Sequence, residues 1–436
     1  MRKIINTLLA AAAVMGLASC SLHDDKELFG DSAAERIQKT VADDKALLES
    51  ADNGWELHLW NGKDYSGGGY TYFLKFSGGK VTVAGDIAPS KMRTTSSYDI
   101  IRDQGPVLTI NTFNEIFHYN ANPSMQDDDG EQQDYEFIIQ RTTADSVYLK
   151  GKKWGNKMVM TRVPANISWT ARIDSIQSLE KNMMLTFATA AKNIKLSTSR
   201  VAEFSDAAGY DDIPYVVTPT GIQLQRPVDV DGQQVSAFTY SVADTTLTAV
   251  STPAPVVAHV VLPPTYVPFN DFAGSYKLIH YLYKRDGTRS AVADTVQLVP
   301  VNDGQHYCIN GLIDGASPRM TYDKVNGSLS LMGQVLANRS DGTQVMMCPW
   351  SIADGGYFYF TTQFGMTVAR DLKYKGMVLS FKPTSASASY KIDSFILVDF
   401  SGEPSNNTYQ GPSSILSFGR YGYGLRSLSY LVKISQ

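Results

Sequence analysis

The sequence predicts a mainly β fold built from antiparallel meanders, with few helices. Three observations lead there. Apolar and polar residues alternate with period two in short runs from Trp55 onward. Glycine, asparagine and proline separate those runs at even spacing. Tyrosine and phenylalanine, 24 and 18 of 436 residues, fit pleated, half-buried surfaces. A chain of this length is expected to divide into two or three domains.

The first element is a helix over 32–51, opened by a Ser32/Glu35 capping box and stopped by Asn53-Gly54. Ile37, Val41 and Leu48 are its expected buried face. Eight strands then follow, one with Trp55, Leu57 and Leu59 on one face, and the next with Tyr70, Tyr72, Leu74 and Phe76. Ser77-Gly78-Gly79-Lys80 turns into Val81 and Val83, and strands over 97–102, 107–112, 135–141, 146–152 and 157–163 complete the set. Residues 31–165 therefore predict a helix plus an eight-strand, up-and-down barrel-like (lipocalin-like) domain, since closure removes exposed strand edges.

Residues 166–252 predict a small α+β middle region that packs on a neighbour. Its helix, 169–183, carries Trp169, Ile173, Ile176, Leu179 and Met183 on one face. Strands are expected at 193–198, 215–218, 222–226, 236–242 and 246–250. Pro253, Pro255, Pro263, Pro264 and Pro268 mark 253–271 as a linker, because proline removes backbone donors. Residues 272–436 predict a second antiparallel barrel or sandwich, with one strand spanning 328–336 and another 343–352. Asn326-Gly327 is expected to form a type I′ hairpin, which needs positive φ at both positions.

The N-terminus carries an address. Arg2 and Lys3 precede an apolar run over 4–17, about 14 residues and shorter than the roughly 20 that span a bilayer. Leu17-Ala18-Ser19-Cys20 then reads as a lipobox, making 1–19 a lipoprotein signal peptide and Cys20 the acylated mature N-terminus. Several acyl chains hold a protein to a membrane stably. Residues 20–30, with Asp24, Asp25 and Glu27, form an acidic tether. Loss of the signal removes two basic residues and moves the formal net charge from −4 to −6, which argues against a nucleic-acid surface. Cys308 and Cys348 would then lie in a compartment where a disulfide can persist, and either a bridge or two buried thiols fits the sequence.

Motifs that carry chemistry are weak. Gly67-Gly68-Gly69 opens a strand, whereas a phosphate loop opens a helix. Asp127, Asp129, Gly130 and Glu136 echo a calcium loop whose first ligand position is Met125. The six histidines show no metal-ligand spacing, and no metal or cofactor is implied. Ser77/Lys80 and Ser178/Lys181 match S-x-x-K without its companion motifs. Asp134 and Glu136, adjacent on one strand face, are the first carboxylate pair to inspect for a hydrolase. His58, Trp60, Tyr421 and Tyr423 are candidate outward-facing ligand contacts.

A wider pattern runs through Lys26-Glu27-Leu28-Phe29, Ser32-Ala33-Ala34-Glu35-Arg36-Ile37, Asn53-Gly54-Trp55 and Asp64-Tyr65-Ser66-Gly67-Gly68-Gly69-Tyr70. Ala84-Gly85-Asp86, Gly105-Pro106-Val107-Leu108-Thr109, Asp134-Tyr135-Glu136-Phe137 and Leu149-Lys150-Gly151-Lys152-Lys153 continue it. In these segments the chain resembles a Bacteroidota outer-membrane lipoprotein family known as a domain of unknown function, closely over 20–165 and more loosely beyond. Members of such families are often encoded beside TonB-dependent receptors, nutrient-capturing lipoproteins and candidate zinc metallopeptidases. The resemblance transfers no catalytic residues. The combined expectation is a non-enzymatic, lipid-anchored cell-surface protein that captures or presents a peptide, a glycan or a small apolar molecule held in a barrel mouth. The alternatives are a scaffold subunit of an uptake complex and a hydrolase with an acidic site.

Overall fold

The computed structural model describes residues 32–103, 105–123, 128–284, 286–353, 355–402 and 408–434. The predicted signal peptide, Cys20 and the tether lie outside the described residues, as do Met125 and Asp127. The described parts of Met1–Met183 and Phe187–His259 form one compact unit, and those of Met184–Thr186 and Val260–Gln436 a second. The fold is mainly β and contains three closed, eight-stranded antiparallel barrels.

Helix α1 (Ala33–Glu49) starts on the predicted capping box: the Glu35 N–H donates to Ser32 Oγ, and the Ser32 N–H to Glu35 Oε2. Only its last turns reach the barrel, so Leu48 is buried while Ile37 stays 37% exposed, against the expected face. Barrel 1 runs β1 (Trp55–Trp60), β2 (Gly69–Ser77), β3 (Lys80–Gly85), β4 (Thr94–Arg102), β5 (Pro106–Ile110), β6 (Glu136–Thr142), β7 (Ser146–Gly151) and β8 (Lys157–Arg162). Neighbours in sequence pair, and β8 closes on β1 with Leu57 opposite Met160. The two-residue turn Gly78-Gly79 has φ of 54° and 73°, the mirror-image geometry that matches strand twist.

The inward rows of barrel 1, among them Trp55, Leu57, Tyr72, Phe76, Phe137 and Met160, form one continuous core. Leu48 and Ala51 belong to that core, and the Trp55 indole N–H donates to Leu48 O at 2.9 Å. Burying each such side chain contributes about 1.5–3 kcal/mol. The barrel closes around packed side chains.

Residues 166–260 correct the expected dependent middle region. After α2 (Trp169–Asn182), the strands β9 (Thr186–Ala188), β10 (Asn193–Leu196), β11 (Val201–Asp206), β12 (Gly209–Thr218), β13 (Gly221–Val230), β14 (Gln233–Ser241), β15 (Thr246–Ala249) and β16 (Val257–Val260) close into barrel 2. Phe187, Phe204 and Phe238 are fully buried. Strand β16 lies inside the expected linker 253–271. Pro253, Pro255 and Pro263 flank it without interrupting it, so no ladder donor is lost.

The second unit is a barrel with an added sheet, not a barrel or a sandwich alone. Its strands are β17 (Gly274–Tyr283), β18 (Arg289–Pro300), β19 (His306–Asn310), β20 (Arg319–Asp323), β21 (Ser328–Met332), β22 (Gln334–Asn338), β23 (Thr343–Ser351), β24 (Tyr357–Phe358), β25 (Gly365–Arg370), β26 (Val378–Pro383), β27 (Ser394–Ser401), β28 (Thr408–Pro412), β29 (Gly424–Leu425) and β30 (Tyr430–Lys433). Barrel 3 uses β17 to β21, β25, β26 and β30, while β22, β23, β27 and β28 form the added sheet, with β24 paired to β23 and β29 to β27. One face of that sheet, through Val345, Met347, Phe395 and Leu397, joins the barrel core. The other carries Met346, Cys348, Trp350 and Phe400.

The strand expected over 328–336 breaks at Gly333 into two sheets, where a Cβ would lie 2.2 Å from Thr361 O. At the Asn326-Gly327 turn only Gly327 has positive φ, and its N–H donates to Asp323 O at 2.8 Å. Residues 324–327 thus make a four-residue loop in place of the expected type I′ turn. Cys308 on β19 and Cys348 on β23 stand in different sheets as free thiols, so no bridge joins them.

Candidate functional site

Alternation along β1 turns Glu56, His58 and Trp60 away from the core row Trp55, Leu57 and Leu59. Outward residues of the adjoining β8 (Val159 and Thr161), and beyond it Tyr148 on β7 and Gln140 on β6, extend the same face. Arg172 from α2 and Gln223 from β13 wall it, enclosing a groove of 520 Å³ within the first unit.

Charge in this groove is only partly balanced, since Lys157 lines it beside a paired Glu56, His58 and Arg172. Arg172 Nε lies 2.9 Å from Glu56 Oε2, and Nη2 donates to Oε1 at 3.0 Å. His58 Nε2 lies 3.2 Å from the same Oε1. Burial alone would raise the Glu56 carboxyl; the His58 hydrogen bond and the Arg172 charge outweigh it and hold it below its ordinary 4.5. What remains for a ligand is Lys157 with a set of amides and hydroxyls over partly apolar ground. Such a surface hydrogen-bonds a polar chain.

The predicted contacts divide. His58 lines this groove. Trp60 lies at its edge but is 7% exposed, covered by the second barrel: a Cβ on Gly69 would sit 2.5 Å from its ring and 2.6 Å from Val216. It is no exposed platform. Tyr421 and Tyr423 lie in the second unit and share a different pocket. Arg172 and Gln223 were not legible, because only the closed fold brings α2 and β13 beside β1.

Asp134 and Glu136 do not face each other across a cleft. Asp134 is buried and accepts the backbone N–H groups of Lys153 and Trp154, which fixes that turn. Glu136 pairs with Lys152 at 3.2 Å. Of the calcium echo's described carboxylates, Asp129 is ion-paired with Lys153 at 2.7 Å. No group of three or more His, Cys, Asp or Glu side chains poised for a metal occurs among the described residues. The glycines at 67–69 permit close approach of the two barrels: a Cβ on Gly68 would lie 2.1 Å from Ser199 O.

That approach is locked by Arg200, held at φ 59° in the turn between β10 and β11. Its Nη1 donates to Asp86 Oδ2 at 2.8 Å and to Gly69 O at 3.1 Å, while Nη2 donates to Glu180 Oε2 at 2.7 Å. The guanidinium lies 4.7 Å over the Tyr70 ring. Burial opposes its charge, but Asp86 and Glu180 outweigh that and raise its pKa. The groove therefore has a fixed wall.

No curated protein matches this chain. A solved structure of intact Ap-TbpB, with N and C lobes, aligns over 87% of this chain and 76% of that one at 11% identity. Its TM-score of 0.13 carries no argument. A model described as a domain of unknown function (DUF4987) matches residues 252–398. A model described as domain of unknown function DUF4302 matches residues 25–242, half of the chain, and the protein belongs to that family.

Proposed function

We propose that this chain is a lipid-anchored, outer-membrane protein that captures a polar ligand, a peptide or a glycan, outside its barrels and without catalysis. The observation that carries the reading is the contrast between a filled barrel 1 and the 520 Å³ groove on its outer face. Glu56 supports the non-enzymatic part. Its carboxylate is ion-paired on Arg172 and His58, whereas a glycosidase acid is kept protonated opposite a second carboxyl group. The lipobox at Leu17–Cys20 and the acidic tether support anchoring and surface exposure. No described helix is long and apolar enough to cross a membrane.

The test is a glycan and peptide array probed with the full chain and with Gln223→Ala and Arg172→Ala variants. Binding that weakens in both variants supports capture in the groove, and unchanged binding refutes it. Labelled palmitate incorporated by the wild type and lost in Cys20→Ser tests the anchor. Protection from protease on intact cells would sink surface exposure.

A second reading, a scaffold subunit of a TonB-dependent receptor complex, draws on one patch. Phe113 and Tyr119 are 66% and 65% exposed; the Phe113 ring stacks on His118 at 5.7 Å, and the Tyr135 ring tilts against His118 at 5.2 Å. Co-purification of a receptor, lost in Phe113→Ser, would favour it.

A further inference from the structure

The inward row of β17 runs Tyr276, Leu278 and then His280, which is 1% exposed. Asp294 on β18 pairs opposite Leu278 and shares that face. Residues 418–426 cross this end of barrel 3 and place Tyr421 and Arg420 on the pair. The Tyr421 hydroxyl donates to Asp294 Oδ2 at 2.6 Å, and His280 Nε2 lies 3.0 Å from the same oxygen. Arg420 donates from Nη2 to Asp294 Oδ1 at 2.9 Å and from Nε to the Tyr421 hydroxyl at 2.8 Å. The His280 and Tyr421 rings stand perpendicular with centroids 4.6 Å apart, and the Arg420 guanidinium lies 5.0 Å over the Tyr421 ring. One carboxylate thus fixes both a ring and a guanidinium before any ligand arrives.

Beside this cluster a pocket of 480 Å³ is lined by Tyr283, Tyr421, Tyr423, Arg420 and Arg426. Tyr283 is held through its hydroxyl, 2.8 Å from Ser427 Oγ. Tyr423 is 46% exposed. Arg426 lies 5.2 Å over the Trp350 ring, and no carboxylate pairs with it among the described residues. Ring faces with phenol hydroxyls beside a stacked, unneutralised guanidinium fit a ligand that is both cyclic and anionic. The backbone here offers no edge for strand addition by a peptide: β17 is paired with β18 through Tyr283, and the Tyr281 N–H donates to Arg426 O.

We infer that this pocket binds an acidic saccharide, its ring against Tyr423 and its carboxylate or sulfate on Arg426. The site shares no residue with the groove on barrel 1, so either can fail alone.

The test is calorimetric titration of the full chain with oligogalacturonate, a sulfated heparin-derived oligosaccharide, neutral dextran oligomers and a poly-glutamate peptide. Binding of either acidic oligosaccharide, with none of dextran, is expected, and the two arms tell carboxylate from sulfate. Arg426→Ala should weaken it about tenfold or more, the scale of one lost charge-assisted hydrogen bond, with Arg426→Lys recovering part. Tyr423→Ala should weaken binding and Tyr423→Phe should keep most of it. Arg426 and Tyr423 are exposed, so unchanged melting temperatures verify the folded state. Equal binding of dextran, equal or tighter binding of poly-glutamate, or indifference to Arg426→Ala overturns the proposal.

Discussion

Arg200 Nη1 stands 2.8 Å from Asp86 Oδ2, and their side chains are 4% and 0% exposed. The pair joins the turn before β11 of barrel 2 to the segment after β3 of barrel 1, and Gln177 from α2 donates to Asp86 O beside it. Two charges removed from water stay favourable only while each satisfies the other.

Arg200→Met should therefore destabilise the first unit by about 3–5 kcal/mol, because it strands a buried Asp86 carboxylate. Adding Asp86→Leu should recover part of that loss. Urea unfolding of the wild type and these two variants measures it. A single variant no less stable than wild type would show that the pair does not hold the barrels.

Gly69 is a packing position rather than a hinge. Its added Cβ would press on the Trp60 ring at 2.5 Å and on Val216 at 2.6 Å, neither a flexible end. Gly69→Ala should cost about 1–3 kcal/mol by overpacking. Gly79→Ala meets no atom within 4 Å, and its cost comes from the φ of 73° alone. Thermal melts of both separate steric from backbone strain. Equal melting temperatures for Gly69→Ala and wild type would contradict the junction.

Barrel 1 was legible because β1, β4, β7 and β8 alternate in period two and Gly78-Gly79 can adopt only a narrow class of turns. Barrel 2 was not. Strand β12 opens with Gly209, Tyr210, Asp211 and Asp212 and contains Pro214, so its first half lacks an apolar run. Strands β9 and β16 span only 3 and 4 residues, and closure depends on pairing partners distant in sequence. The groove divides on the same ground. Period two placed His58 on the outer face of β1. The burial of Trp60 depends on Val216 from another barrel, and the Arg172 ion pair on a helix more than a hundred residues away. Asp134 shows the converse: local pattern marked it as chemistry, and backbone donors from Lys153 and Trp154 claim it for structure.

The cysteines should respond to thiol reagents unequally. Cys348 is fully buried, and burial pushes its thiol up, away from the reactive thiolate. Cys308 is half-buried. A native sample should label slowly at Cys308 and not at Cys348, with both labelling in denaturant. Reduction before denaturation should leave the labelled mass unchanged. Two thiols that appear only after reduction would mean a disulfide.

Acid should weaken the second unit in two steps. Burial lowers the His280 pKa from 6.5, more than the Asp294 hydrogen bond raises it. As pH falls below 6.5 the unfolded chain takes up a proton that the folded chain refuses. The unfolded state then binds more protons, stability rises with pH, and the loss on acidification is complete once the folded His280 titrates. Asp294 acts lower down. Burial would raise it, but Tyr421, His280 and Arg420 outweigh that and hold it below 3.8. Its contribution is present above 3.8 and is lost as pH falls through the depressed value. Melting temperatures from pH 8 to pH 3 should therefore drop first below about 6.5 and again below about 4. His280→Gln should flatten the first step and shrink the second, because one of the groups that hold Asp294 down is lost. A first step of undiminished size in that variant would assign it to another group.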